Sequence, residues 1–243
     1  MKISDINKSN NIVFFGGAGV STESNIPDFR SANGIFSIKL NRSFSPEQLV
    51  SRTMFERYPE DFFDFYKKNL IYPDAKPNAA HYYLAKLEKM GKLKVVITQN
   101  IDTLHEQAGS KNVLKLHGTV DANYCTKCGA YYNLEQFLNK KEEIPRCDKC
   151  SGVIKPYVTL YEEELDMTTF NSAIRYIQEA EVLIIGGTSL SVYPAANLIQ
   201  YFRGKYLVVI NKTPTSQDNM ADLVINDSIG KVCKELDEQL SEN

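Results

Sequence analysis

Six short apolar runs punctuate the chain, and each stops at a polar or glycine-rich turn. They are Ile12–Phe15 before Gly16-Gly17-Ala18-Gly19, Lys94–Ile97 before Thr98-Gln99-Asn100, and Val113–Leu116 before His117-Gly118. Val182–Ile185 follows, before Gly186-Gly187-Thr188-Ser189, then Leu207–Ile210 before Asn211 and Leu223–Ile225 before Asn226-Asp227. Continuous runs of this length, bounded by turn residues, predict strands buried on both faces. Between them the apolar period changes to that of a helix. Ala79–Lys89 sets Ala80, Tyr83, Leu84 and Leu87 on one face, and Thr169–Ala180 and Ala195–Phe202 behave alike. Strand then helix, repeated, predicts an α/β fold: a Rossmann-like parallel sheet with helices on both faces. The polar residues that end the strands then share the carboxyl rim, where such sheets bind ligands.

Two stretches break this pattern. Ser31–Pro77 is aromatic-rich and reads as mostly helical after a polar start at Asn33-Gly34, and Asp121–Lys155 carries four cysteines. The predicted division is a Rossmann-like domain from residues 1–30, 78–120 and 156–243, a helical insertion over 31–77, and a ribbon over 121–155. The insertion and the ribbon together form a smaller domain.

Composition adds limits rather than direction. At 243 residues, 43% hydrophobic and 24% charged, the chain can bury a core without disulfides. Lys plus Arg is 28 against 30 Asp plus Glu, a net charge of −2, which argues against direct nucleic-acid binding. No apolar run approaches the ~20 residues that span a bilayer. Met1–Asn10 lacks the apolar core of an export signal, so the expectation is a cytoplasmic protein without a membrane partner.

Four of the five cysteines form two C-x-x-C pairs, Cys125/Cys128 and Cys147/Cys150, separated by eighteen residues. Without an export signal, this spacing reads as a ribbon of two knuckles placing four thiolates around one zinc ion. The same thiolates can hold iron; two separated knuckles favour zinc. Gly129 and Gly152 stand where the knuckles call for positive φ. Four protein ligands leave no place for water, so the zinc is expected to be structural. Cys233 lies alone in a C-terminal helical pattern and reads as a small buried hydrophobe.

Gly17-Ala-Gly19-Val-Ser-Thr22 looks like a dinucleotide turn, in which glycines admit a pyrophosphate and a following helix N-terminus favours its charge. The acidic residue that an ordinary Rossmann dehydrogenase places at the end of the next strand is missing, so hydride transfer is disfavoured. The longer segment, Gly17 to Ile26-Pro-Asp28-Phe29-Arg30, closely resembles the sirtuin signature. Thr98-Gln-Asn-Ile-Asp102, Leu116-His117-Gly118, the paired C-x-x-C motifs, Gly187-Thr-Ser189, Val192-Tyr-Pro-Ala-Ala196 and Val209-Ile-Asn211 continue that resemblance in order along nearly the whole chain.

The resemblance implies an NAD-dependent protein-lysine deacylase, acetyl first, yielding nicotinamide, O-acyl-ADP-ribose and free lysine. It implies that Gly17, Ala18, Gly19 and Thr22 hold the pyrophosphate, and that Asp28, Phe29 and Arg30 face NAD. Gln99 would meet a ribose hydroxyl. Asn100, the Ile101 backbone and the Asp102 carboxylate would line the nicotinamide pocket, and Gly187, Thr188, Ser189, Asn211 and Asp227 the ribose and adenine side. His117 would be the general base, with Asn100 beside it in the chemistry; His81 and His105 read as structural. In the family the acyl oxygen attacks the ribose carbon, nicotinamide leaves, and the base helps a ribose hydroxyl attack the resulting imidate. Closure of Ser31–Asn41 over NAD would gate the reaction. The partners implied are acyl-lysine proteins or peptides as substrates, and the chain is expected to be a monomer.

Some residues depart from the family pattern. Asn25 replaces a glycine, which a left-handed asparagine tolerates. Tyr157 and Glu162 stand in the strand that pairs with the substrate backbone, and Glu162 again replaces a glycine, offering a carboxylate to basic peptides. The acyl-pocket pattern of acid-preferring sirtuins, Tyr-x-x-Arg, matches Tyr66-Lys-Lys-Asn69 without its arginine, so neutral acyl groups are expected. The competing readings are mono-ADP-ribosyl transfer and a non-catalytic, zinc-dependent binding module.

Overall fold

The structure is a computed structural model that describes residues 3–31, 34–37 and 44–241. Its strands are β1 (Ile12–Gly16), β2 (Leu93–Thr98), β3 (Val113–Lys115), β4 (Gly118–Cys125), β5 (Tyr131–Asn133), β6 (Ile154–Val158), β7 (Val182–Gly186), β8 (Tyr206–Ile210) and β9 (Leu223–Ile225). Its α-helices are α1 (Pro46–Leu49), α2 (Arg52–Arg57), α3 (Pro59–Asn69), α4 (Ala79–Lys89), α5 (Leu104–Gln107), α6 (Leu134–Leu138), α7 (Met167–Glu179) and α8 (Ile229–Ser241).

All six apolar runs are strands of one sheet, ordered β3-β2-β1-β7-β8-β9, and every pairing is parallel. Counting only these strands, the order is that of a doubly wound dinucleotide fold. Successive residues of β1 serve opposite faces. Ile12 and Phe14 pack with Leu84 and Leu87 of α4 and Val232 and Leu236 of α8. Val13 and Phe15 pack with Ala173 and Ile177 of α7 and with Leu198 and Ile199. That two-sided burial is why β1 reads as an unbroken apolar run, and each such side chain contributes ~1.5–3 kcal/mol by leaving water.

The helical reading of Ala79–Lys89 is matched by α4, which Asn78 caps by accepting from Ala80 N at 2.9 Å. Two expectations need correction. Ala195–Tyr201 is a 3₁₀ helix rather than an α-helix. The glycine turn after β1 leads into two short 3₁₀ turns, Ala18–Val20 and Thr22–Ser24, and not into an α-helix N-terminus.

A second, three-stranded antiparallel sheet, β5-β4-β6, carries the cysteines. A third core joins it to the insertion: Met54, Phe62, Phe63 and Tyr66 pack with Tyr132, Phe137, Cys147 and Ile154. The aromatic richness of the insertion thus serves the ribbon as well as its own helices. β4 and β6 carry this small sheet a few residues into the segments on either side of 121–155. No helix among the described residues is long and apolar enough to cross a membrane.

Candidate active site and metal centre

A cleft of about 1360 Å³ lies between the large sheet and the smaller one. It opens at the carboxyl ends of β1, β2, β7 and β8, where the strand order reverses between β1 and β7. All of the residues expected to face NAD line it, from Gly17 to Asp227, together with His117.

At the reversal point two glycine turns interlock. Gly19 N donates to Gly187 O at 2.8 Å, and Gly17 N donates to Gly186 O at 3.2 Å. A Cβ on Gly19 would stand 2.7 Å from Gly187 Cα, and one on Gly187, whose φ is +57°, would stand 2.4 Å from Val20 N. The glycines are therefore demanded first by the approach of one turn to the other. Thr22 Oγ1 donates to Gly19 O at 3.0 Å, and Asn25 closes the segment at φ 62°, the left-handed geometry expected of it.

From the end of β2, Gln99 Nε2 donates to Thr188 Oγ1 at 3.0 Å, tying the β2 and β7 turns together. Asn100 and Asp102 meet at Ser21, a buried residue outside the expected site. Asn100 Nδ2 donates to Ser21 Oγ at 3.1 Å, and Ser21 Oγ donates to Asp102 Oδ2 at 2.8 Å. Asp102 Oδ1 also accepts from Leu104 N at 3.0 Å. Burial raises the Asp102 pKa above its usual value, and these two donors oppose the rise. Ser21 was legible only as a small hydroxyl within the glycine turn, with nothing local to say what it would bond.

His117 lies between β3 and β4. Its Nδ1 is 2.9 Å from the Gln99 carbonyl oxygen. A carbonyl can only accept, so Nδ1 carries the proton and Nε2 holds a free lone pair in a residue lining the cleft. Burial lowers the His117 pKa, with the Gln99 bond opposing, so the imidazole is neutral near pH 7.

On the insertion side, Phe29 meets Phe36 edge-on at 5.4 Å, while Ile35 N and Phe36 N donate to Asp28 O and Phe29 O. Of the expected gate Ser31–Asn41, residues 32–33 and 38–41 lie outside the described residues. Asn211 and Asp227 follow β8 and β9. Asn211 Nδ2 is bonded to Thr213 O, and the Asp227 carboxylate meets Lys231, whose hydrogen bond lowers its pKa.

One side-chain expectation is overturned. Tyr66 is fully buried, stacked on Phe62 and edge-on to Phe137, and does not line the cleft; Asn69 turns its amide to Phe65 O. The cleft wall there is made by Ile35, Val50, Leu70 and Tyr72. Glu162 lines the cleft with one carboxylate oxygen engaged, because Thr53 N and Oγ1 both donate to its Oε2 at 2.9 and 2.7 Å.

Cys125, Cys128, Cys147 and Cys150 bring four sulfurs within 4.8 Å of one another. A tetrahedral zinc with Zn–S bonds of ~2.3 Å requires S–S edges of ~3.8 Å, and two edges here are 3.4 and 3.6 Å. Lys127 N and Lys149 N each approach a sulfur at 3.4 Å, and Tyr132 OH donates to Cys147 Sγ at 3.2 Å, all favouring thiolates. The donor set fits zinc and fills its coordination shell. Gly129 has the expected positive φ of 70°, but in the second knuckle that conformation belongs to Ser151, at 57°. Gly152 is needed for space instead, since a Cβ there would lie 2.8 Å from Cys125 Sγ.

Comparison with known proteins agrees with this geometry. A model of the Sir2 family matches residues 17–194. The NAD-dependent protein deacetylase of Clostridium perfringens (strain 13 / Type A) is 65% identical over 228 residues, 93% of each chain. A solved Sir2–p53 peptide–NAD+ structure superposes with a TM-score of 0.86 at 36% identity, covering 100% of both chains. Sir2Tm bound to a propionylated peptide gives 0.86 at 37% identity, with the same coverage. With its glycine turns, neutral histidine and four-cysteine ribbon in the places such a fold requires, this chain belongs to the Sir2 family.

Proposed function

We propose that the chain is an NAD-dependent protein-lysine deacylase, with acetyl-lysine in proteins or peptides as its first substrate. The single observation that carries this reading is the His117 tautomer. With Nδ1 donating to Gln99 O, Nε2 is the base that can take a proton in the cleft. NAD, as co-substrate, supplies the glycosidic bond broken to release nicotinamide and the ADP-ribose that carries the acyl group away.

The chain's own residues hold and orient. Gly17, Ala18, Gly19 and Thr22 offer the closely approachable turn for the pyrophosphate. Asp28, Phe29 and Arg30 cover the cleft from the insertion side, and Phe29 keeps water from the reacting centre. Gln99, fixed to Thr188, faces a ribose hydroxyl. Asn100, Ile101 and Asp102 form the nicotinamide wall, in which a carboxylate suits an amide donor. Gly187, Thr188, Ser189, Asn211 and Asp227 serve the ribose and adenine side. His117 Nε2 accepts the proton of a ribose hydroxyl. The apolar wall of Ile35, Val50, Leu70 and Val120 suits neutral acyl groups rather than succinyl.

Cys125, Cys128, Cys147 and Cys150 would hold one structural zinc. The same reading divides the chain as the sequence does, over 1–30, 78–120 and 156–243, 31–77, and 121–155. It further describes a cytoplasmic monomer that binds neither nucleic acid nor membrane. Incubation with NAD and one peptide in acetyl and succinyl forms tests the activity. Nicotinamide release coupled to loss of acetyl is the expected result; no release with the acetyl peptide would reject the deacylase, and faster desuccinylation would reject the acyl preference.

A further inference from the structure

Thr159–Glu163 forms one wall of the cleft, and Tyr161 and Glu162 within it are held in an unusual way. Tyr161 is pinned to the start of α2 through its backbone: its N–H donates to Val50 O at 3.1 Å, and its carbonyl accepts from Arg52 N at 3.0 Å. Glu162 follows at φ 74°, the left-handed region that a non-glycine residue occupies only when its surroundings compensate. The compensation is visible, since its carboxylate accepts from both Thr53 N and Thr53 Oγ1 at the first turn of α2. The Tyr161 hydroxyl then accepts from Arg30 Nη2 at 3.4 Å, and the same guanidinium lies 5.6 Å from the centre of the Phe36 ring. Thr53, Glu162, Tyr161 and Arg30 thus form one continuous chain of contacts from α2 to the cleft.

We propose that Tyr161 is a positioning residue for Arg30, and that Glu162 fixes Tyr161 by locking its backbone to α2. An arginine has several free torsions, and ordering them on ligand binding is costly. A phenol that already accepts one of its N–H groups reduces that cost, while the remaining donors stay available to an anionic ligand. The left-handed turn at Glu162, held by its bonds to Thr53, is what sets the direction of Tyr161. The inference rests on the deacylase reading in taking NAD as the ligand that Arg30 meets.

The test is calorimetric NAD binding to Tyr161→Phe, Glu162→Gly and the double variant, each checked by urea denaturation, with turnover measured alongside. Glycine suits the left-handed backbone, so Glu162→Gly removes the carboxylate without adding strain. Each single variant should weaken NAD binding about three- to tenfold, as expected for one exposed charged hydrogen bond. The lost rate should return at saturating NAD. Because both residues act through Arg30, the double variant should be no worse than the weaker single one. Unchanged NAD affinity in Tyr161→Phe, or fully additive losses, would overturn the proposal. A wild-type protein that binds NAD without turnover counts against the deacylase reading alone, and the binding comparison still decides this one.

Discussion

His117 and Gln99 are joined across the turn after β2 by a single bond, His117 Nδ1 to the Gln99 carbonyl oxygen at 2.9 Å. The same glutamine sends its side chain to Thr188, so the base is referenced to the β7 turn as well as to its own strand. Replacing His117 with alanine should lower deacylation by ~10²–10⁴, the usual share of a general base, with NAD binding and folding retained. Since burial lowers its pKa, the protonated, inactive form accumulates only below the ordinary histidine value of ~6.5. The kcat/KM profile should therefore be flat near neutrality and fall on an acid limb below ~6.5. A limb above that value would contradict the assigned tautomer and environment.

Ser21 is the second test. Its hydroxyl receives Asn100 Nδ2 and donates to Asp102 Oδ2, so Ser21→Ala strips a buried amide and a buried carboxylate together. Leaving such groups unpaired costs ~1–3 kcal/mol, which urea denaturation should register. Losing a donor to the carboxylate also raises the Asp102 pKa further. Activity of the variant should therefore recover toward higher pH relative to wild type. A variant with wild-type stability and pH profile would remove Ser21 from the site.

The parts of this arrangement that could be read from the sequence are those with a local signature. β1 declares itself because both faces are buried, and the cysteines because zinc fixes their spacing. Ser21 and Tyr66 did not, for opposite reasons. Ser21 owes its importance to residues about eighty positions away, Asn100 and Asp102, that only the sheet order brings near. Tyr66 sits in a plausible motif, but ring packing against Phe62 and Phe137 turns it into the core. Nor does sequence carry any sign that Thr53 would donate both its N–H and its hydroxyl to Glu162 Oε2.

Zinc removal separates scaffold from chemistry. Cys125 and Cys147 are core residues alongside Phe62, Phe63 and Phe137, so the metal organises the packing that the insertion and the ribbon share. In small zinc peptides the binding energy is ~10–16 kcal/mol and is folding energy. A strong chelator should abolish activity together with the near-UV tyrosine signal of the ribbon, while much of the parallel sheet's far-UV signal persists. Zinc added back should restore both. Full activity in a folded, zinc-free sample would refute the structural role.

His81 and His105 give the acid limit of the fold. Both are buried, their ring centres are 4.7 Å apart, and neither belongs to the cleft. His81 Nδ1 accepts from Asn78 N at 3.2 Å, so its proton is on Nε2; among the described residues neither that nitrogen nor either nitrogen of His105 has a partner. Burial lowers the His81 pKa to about 4 and that of His105 well below its usual value, with the neighbouring His81 and Lys115 adding to the latter. The Lys115–Glu106 ion pair is the charged group beside them. The unfolded chain therefore binds more protons than the folded one from ~6.5 downward, and stability present above that pH is lost as pH falls. A change from 6.5 to about 4 at His81 alone corresponds to about 3 kcal/mol once its folded-state value is passed. Between pH 7 and 5, urea midpoints of the wild type should fall more steeply than those of His105→Gln, whose amide cannot titrate. Parallel slopes for the two proteins would show that the acid sensitivity lies elsewhere.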